Sequence, residues 1–260
     1  LKGNGEKQIM AKSFYEQKCR ICGCDWNHAC NDHDYWFAED ICSACAEKMK
    51  PILFNTPMVQ AILDGRKTTT RRPVKNLAIF DNGDGYFTAK EIHKGEITEY
   101  LNETFGGSYD FVVGNAIQYA RYQKGDILYV RETWGTQPSG EYIYKCGYIE
   151  PITGSPDCNY LGHKILWHPS IFMPKEAARI FLRVTDAKAE RLRDIDKYWS
   201  NYDKEGMRDP KTESISIAMQ EKFISIWDRT IKKSDLDKYG WDANPWVWFY
   251  QFERIGEKTA

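Results

Sequence analysis

The octapeptide Gly65-Arg66-Lys67-Thr68-Thr69-Thr70-Arg71-Arg72 gathers the side chains with the most chemistry to offer. A lysine and an arginine pair bracket three hydroxyls, so one short turn delivers cationic donors and potential nucleophiles together. An anionic or carbonyl-bearing ligand suits that combination, because charged donors hold oxygen anions and a hydroxyl beside a neutral lysine can attack a carbonyl. Arg66, Lys67, Arg71, Arg72 and Lys75 all precede the next acidic residue, which makes this the densest local positive charge in the chain. The same octapeptide also reads as an exposed, threonine-rich edge strand with solvated basic residues.

The elements around it fix where these groups emerge. Residues 51–54 form a short apolar run suited to a buried strand, and Thr56-Pro57 reads as a helix N-cap followed by proline at the first helical position. Met58, Val59, Ile62 and Leu63 give that helix an apolar face, and Gly65 ends it as a left-handed cap. In a regular strand beyond it Lys67 and Thr70 lie on opposite faces, so they meet only if the turn bends the chain between them. Lys124-Gly125-Asp126 is a turn feeding a strand over 127–134. That strand's alternation sets Ile127, Tyr129, Arg131 and Thr133 against Leu128, Val130, Glu132 and Trp134. A glutamate on the apolar side is costly unless paired, which marks Glu132 for a role beyond solubility; a surface glutamate on an edge strand is the alternative.

Of the eight cysteines, six fall between Cys19 and Cys45. Cys19-x2-Cys22 and Cys42-x2-Cys45 form two knuckles with the spacing of a structural zinc site, each presenting two thiolates to one ion. Zinc would supply the folding free energy that so short a segment cannot draw from a core of its own. Cys24, Cys30, His28 and His33 are near enough in sequence to replace a knuckle ligand or to bind a second ion. A disulfide framework and a redox site are the competing readings, and Cys146 and Cys158 read as ordinary thiols.

A chain of 260 residues with a formal charge of -1 is not a uniformly basic nucleic-acid coat protein, so contact with a polyanion needs a local patch. Its 14% aromatic content can fill a core or line a base-stacking pocket. No apolar run is long enough for a bilayer and no signal-like start is seen, so the expectation is a soluble cytoplasmic protein without membrane contact. Asp81-Asn82-Gly83-Asp84-Gly85 reads as a hairpin turn rather than a calcium loop, and Gly106-Gly107-Ser108 as another turn, within a hairpin or lid inserted at about 76–122. Further strands are read at 142–146, 178–185 and 246–253, and an amphipathic helix at about 214–232. The irregular stretch 166–174 offers Trp167 and His168 as the wall of a pocket, with core packing the alternative for Trp167. The fold class is α+β: a small closed or nearly closed β-barrel decorated by helices over 51–255, preceded by a zinc-binding module over 1–50.

The octapeptide, the segment Lys124-Gly125-Asp126-Ile127-Leu128-Tyr129-Val130-Arg131-Glu132 and the strand pattern together resemble the ASCH domain family, a branch of the PUA-like barrels. With Trp167-His168-Pro169-Ser170 and Trp241-Asp242-Ala243-Asn244-Pro245-Trp246 added, the chain is similar to ASCH proteins encoded by phages and prophages. The resemblance implies a pocket for nucleic acid, RNA in particular, or for a nucleotide. Some small members of the family are amidohydrolases of N-acylated cytidine; others are described as ribonucleases or binding modules. It places the catalytic lysine at Lys67 and the threonine at Thr70, with Glu132 as the candidate carboxylate; Arg71, Arg72, Arg131, Trp134, Trp167 and His168 are the candidate binding residues, by their charge and aromatic faces. The alternatives are a non-catalytic reader of nucleic acid whose zinc module contacts nucleic acid or a protein partner, and a phage-encoded interaction or assembly factor.

Overall fold

The computed structural model of the chain describes residues 18–25, 28, 30, 36–38, 41–93, 96–97, 105–137, 139–147, 165–209 and 216–255. His33 and Cys158 lie outside them. The described residues fall into two compact units, one ending at Met49 and including Ile255, the other running from Lys50 to Arg254. In the smaller unit β1 (Trp36–Ala38) pairs antiparallel with β2 (Ile41–Cys42), and α1 (Ser43–Lys48) follows directly. Cys19, Cys42 and Ala44 form a small buried cluster there, and Ile41, Ser43, Ala46 and Met49 are buried as well.

The larger unit opens with β3 (Lys50–Leu53) and α2 (Thr56–Leu63). The cap of α2 is Asn55, one residue before the expected Thr56: its side chain accepts the Met58 N–H, and Pro57 stands in the first turn. Gly65, at φ 72°, turns the chain out of the helix, a conformation that costs glycine nothing. There follow β4 (Thr69–Pro73), the hairpin β5 (Leu77–Asp81) and β6 (Tyr86–His93), then β7 (Glu96–Ile97), β8 (Phe105–Ser108) and α3 (Tyr109–Ala116). Gly106 and Gly107 sit in β8 rather than in a turn, paired with Thr88 and Phe87 of β6. A Cβ at Gly106 would collide with the Tyr86 ring, so this glycine serves close packing. The segment also contributes to the main core, through Leu77, Ile79, Ala89, Val112 and Ala116.

The chain continues through β9 (Ile127–Arg131), β10 (Trp134–Thr136), β11 (Tyr142–Tyr144) and β12 (Phe181–Arg191). Three helices, α4 (Ser200–Lys204), α5 (Ser216–Thr230) and α6 (Leu236–Tyr239), lead to β13 (Trp246–Arg254). The central sheet runs β3-β9-β12-β13-β4. The β3–β9 pair is parallel and the other pairs are antiparallel. Among the described residues this sheet is open, not the closed barrel expected: β3 and β4, neighbours in sequence, are its two edges, and α2 connects them. Along β13 the side chains alternate between two apolar clusters, Trp246, Trp248, Tyr250 and Phe252 entering one while Val247 enters the other with Leu192, Tyr202, Phe223 and Trp227. Among the described residues no helix is long and apolar enough to cross a membrane.

Candidate functional site

Lys67 leaves the α2 turn straight into the protein interior. Its side chain is fully buried, and Nζ donates to the Thr69 carbonyl (2.8 Å), the Glu205 carbonyl (3.0 Å) and Glu205 Oε2 (2.7 Å). Glu205 is presented by the turn after α4. Its backbone forms an isolated antiparallel bridge with Lys67, and Thr68 N–H donates to the Lys204 carbonyl at 2.8 Å. Gly206 makes this approach possible: it lies at φ 81°, and an added Cβ would stand 2.8 Å from Ala61 Cβ and 3.1 Å from Lys67 Cβ. The other Glu205 oxygen accepts from Arg71 Nη1 at 2.8 Å. Arg71 in turn holds Glu190, which also receives Lys188. Lys67, Glu205, Arg71, Glu190 and Lys188 thus form a network of alternating charge, buried except at its Lys188 end. Burial pushes the Lys67 ammonium below the ordinary lysine value, against the opposing pull of Glu205.

Thr70 and Arg72 point to the other side of β4, as strand alternation requires, so Thr70 makes no hydrogen bond with Lys67. Its Oγ1 accepts from Arg72 Nη1 at 3.0 Å. Arg72 also donates to the Arg71 carbonyl at 3.1 Å and, from Nη2, to the Leu53 carbonyl at 3.0 Å, while its guanidinium lies 5.4 Å from the Phe54 ring centre. The Leu53 bond bridges β4 to β3, the two sheet edges. A cleft of about 650 Å³ lies at this seam, within the range of small-molecule sites. Thr70, Arg71, Arg72, Lys75 and Glu205 contribute its polar wall, and Phe54, Phe223 and Trp227 are among its apolar side chains. Among the described residues neither Arg72 nor Lys75 has a carboxylate within ion-pair distance. Burial lowers the Arg72 pKa, with the Glu205 charge opposing.

Glu132 is buried and paired, but its partner is Arg179, which donates to both carboxylate oxygens at 2.9 and 3.0 Å. The Arg179 guanidinium stacks 4.1 Å from the Tyr144 ring centre. Glu132 therefore does not join Lys67 and Thr70, and the carboxylate at Lys67 is Glu205. Arg131 is likewise committed, donating to the carbonyls of Met173 and Ile171 and holding that turn. Trp134 and His168 stack on each other at 4.8 Å and are bonded through their backbones, while Lys145 lies over the Trp167 ring. Trp134, Trp167 and His168 are not among the residues lining the cleft; Thr133, Pro169 and Ser170 beside them are. Neither the Glu205 contact nor the apolar wall from α5 is visible as a motif. The one local signal for Glu205 is its position directly before a glycine, where a turn can press the carboxylate against another strand.

In the smaller unit Cys19, Cys22, Cys42 and Cys45 bring their sulfurs within 4.8 Å of one another, a set compatible with a metal such as zinc. Cys22, Cys24, Cys30 and Cys42 form a second such set. The first knuckle is shaped by Gly23 at φ 78°, Cys19 N–H donating to the Cys24 carbonyl and Gly23 N–H to the Cys19 carbonyl, each at 2.8 Å. Burial, despite hydrogen bonds that favour the thiolate, pushes the Cys42 thiol up to about 11; Cys22, where thiol and backbone hydrogen bonds outweigh burial, falls to about 6. His28 is bonded instead to Asp25, and Cys146 is buried against Gln60.

No protein-family model, curated protein or solved structure matches the chain.

Proposed function

We propose that this chain binds a nucleotide or a nucleic acid, RNA by preference, in the cleft at the β3–β4 seam, with Arg72 holding a phosphate. The observation that carries the reading is the state of Arg72. It lines the cleft, its hydrogen bonds go to a hydroxyl and two carbonyls, and among the described residues no carboxylate lies within ion-pair distance of it. A guanidinium in that condition favours a ligand that brings its own negative charge. Lys75, also on the cleft wall, adds a second cation. The ASCH-like order of the octapeptide and the Gly125-Asp126 strand supports the same reading, and with it a PUA-like ancestry in which the seam is the incompletely closed side of a barrel. Fluorescence anisotropy with labelled single-stranded RNA, single-stranded DNA and a mononucleotide tests it. Affinity falls as salt rises, and Arg72→Ala both weakens binding and flattens the log–log salt slope by about 1. Binding that is absent, or unchanged in Arg72→Ala, overturns the reading and leaves a protein partner, as for a phage assembly factor.

A second reading is favoured by the pairing of Lys67 with Glu205. A lysine of lowered pKa sits behind a carboxylate that reaches the cleft wall, which Thr70 also lines. That grouping suits hydrolysis of an amide on a modified nucleoside, water adding across the bond to give a carboxylic acid and the free amine. Incubation with N-acetylated cytidine and with RNA, followed by product analysis, tests it. Turnover that survives Glu205→Gln in a folded protein removes the dyad from the chemistry.

A further inference from the structure

The two four-sulfur sets of the cysteine cluster share two members. Cys22 and Cys42 belong to both; Cys19 and Cys45 belong only to the first, Cys24 and Cys30 only to the second. We infer that the smaller unit holds two metal ions rather than one, bridged by the thiolates of Cys22 and Cys42, with Cys19 and Cys45 as terminal ligands of one ion and Cys24 and Cys30 of the other.

The argument is one of coordination number. Zinc in a thiolate site takes four ligands in a tetrahedron, so one ion at the Cys19, Cys22, Cys42 and Cys45 set leaves two further thiols, Cys24 and Cys30, packed against it with nothing to bind. Two tetrahedral ions need eight ligand positions. Six sulfurs fill them when two sulfurs serve both ions, and the geometry names the two that can. Neighbouring sulfurs of a tetrahedral site with metal–sulfur bonds of about 2.3 Å lie about 3.8 Å apart. Cys22 Sγ and Cys42 Sγ are 3.8 Å apart, and Cys22 Sγ and Cys30 Sγ are 3.4 Å apart. Both separations are far longer than the roughly 2.05 Å of a disulfide.

The backbone sorts the ligands in the way two ions require. Gly23, in the left-handed region, reverses the chain immediately after Cys22, and the Cys19 N–H bond to the Cys24 carbonyl closes the loop. Cys19 and Cys24 thereby flank the bridging Cys22 on its two sides. Cys42 closes β2 opposite Trp36, and Cys45 is one turn further on in α1. With six thiolates on two divalent ions the cluster keeps a net negative charge; Lys18 and Arg20 stand next to Cys19 in the sequence.

Native mass spectrometry of the full chain, purified in zinc, counts the ions directly. Two zinc ions per chain are expected, falling to one in the Cys24→Ser/Cys30→Ser variant, which leaves the first set intact. In the wild type all six clustered cysteines are expected to resist alkylation until a chelator is added. One ion per chain, with Cys24 and Cys30 alkylated freely, overturns the inference. Two ions retained in the double variant overturn the ligand assignment. If the variant does not fold, cadmium-113 NMR of the substituted wild type decides: two resonances support the bridged pair and one refutes it.

Discussion

Lys67 Nζ lies 2.7 Å from Glu205 Oε2, and neither side chain is more than 3% exposed. Two strand-like segments far apart in the sequence are locked by this contact, and Arg71 shares the same carboxylate. Removing the carboxylate leaves a buried lysine and a buried arginine short of a partner. Glu205→Ala is therefore expected to cost about 3–5 kcal/mol in denaturant unfolding, far more than an exposed pair would. Any activity assay on Lys67 or Glu205 variants needs that measurement beside it.

The lysine also makes stability depend on pH in a defined direction. Its folded pKa is lowered by burial, so between that value and the unfolded value of about 10.4 the unfolded chain binds the extra proton. The destabilising contribution of the charged lysine is full below the folded value and is relieved as pH rises. Comparison with Lys67→Met isolates this effect from the buried tyrosines. The wild type is expected to gain stability relative to Lys67→Met as pH climbs toward about 10.4, and a difference that shrinks over this range contradicts the burial argument.

Gly206→Ala tests the turn that presents Glu205. The substituted Cβ meets Ala61 and Lys67 at a φ that alanine disfavours. A loss of more than about 1 kcal/mol is expected, larger than a compatible glycine-to-alanine change would cause, since here strain and overpacking add.

Glu132 separates structure from chemistry. Its carboxylate is spent on Arg179, so Glu132→Ala is expected to lower stability by about 1–3 kcal/mol through the stranded guanidinium. RNA or nucleotide affinity at the cleft is expected to stay within twofold of wild type at a temperature where the variant is folded. A selective loss of binding or turnover would return Glu132 to the site.

Removing metal from the cysteine cluster is expected to unfold its local structure, because the cluster around the cysteines has only Cys19, Cys42 and Ala44 as its buried members. Hydrogen exchange of residues 19–25 and 41–48 should accelerate on adding a chelator and recover on adding zinc.

Local signals carried much of this into the sequence reading, and only local ones did. Gly65 signals the helix end, alternation alone sets Lys67 and Thr70 on opposite faces, and the strand pattern marks Glu132 as buried and in need of a partner. The partners themselves were not legible. Arg179 and Glu205 reach their contacts through the fold, and beyond the glycine that follows it nothing in the neighbouring residues distinguishes Glu205 from an exposed glutamate in a turn. The aromatic and basic candidates show the same limit. Trp134 found His168, and Arg131 found two carbonyls, since a group that can bind a ligand can equally be satisfied from within. The barrel expectation rests on strand patterns that cannot supply strand order, and the order found leaves β3 and β4 as opposite edges of an open sheet.

That order has a consequence for synthesis. β4 emerges from the ribosome early, before β5 to β12 exist, yet the strand it hydrogen-bonds, β13, is made after all of them. β12 likewise waits for β13 from Leu182 to Arg191. Until then the nascent chain carries two unsatisfied strand borders, with Arg71 exposed on one and Glu190 on the other. Charges that are buried in the finished protein discourage those borders from adhering to other chains while it is being made.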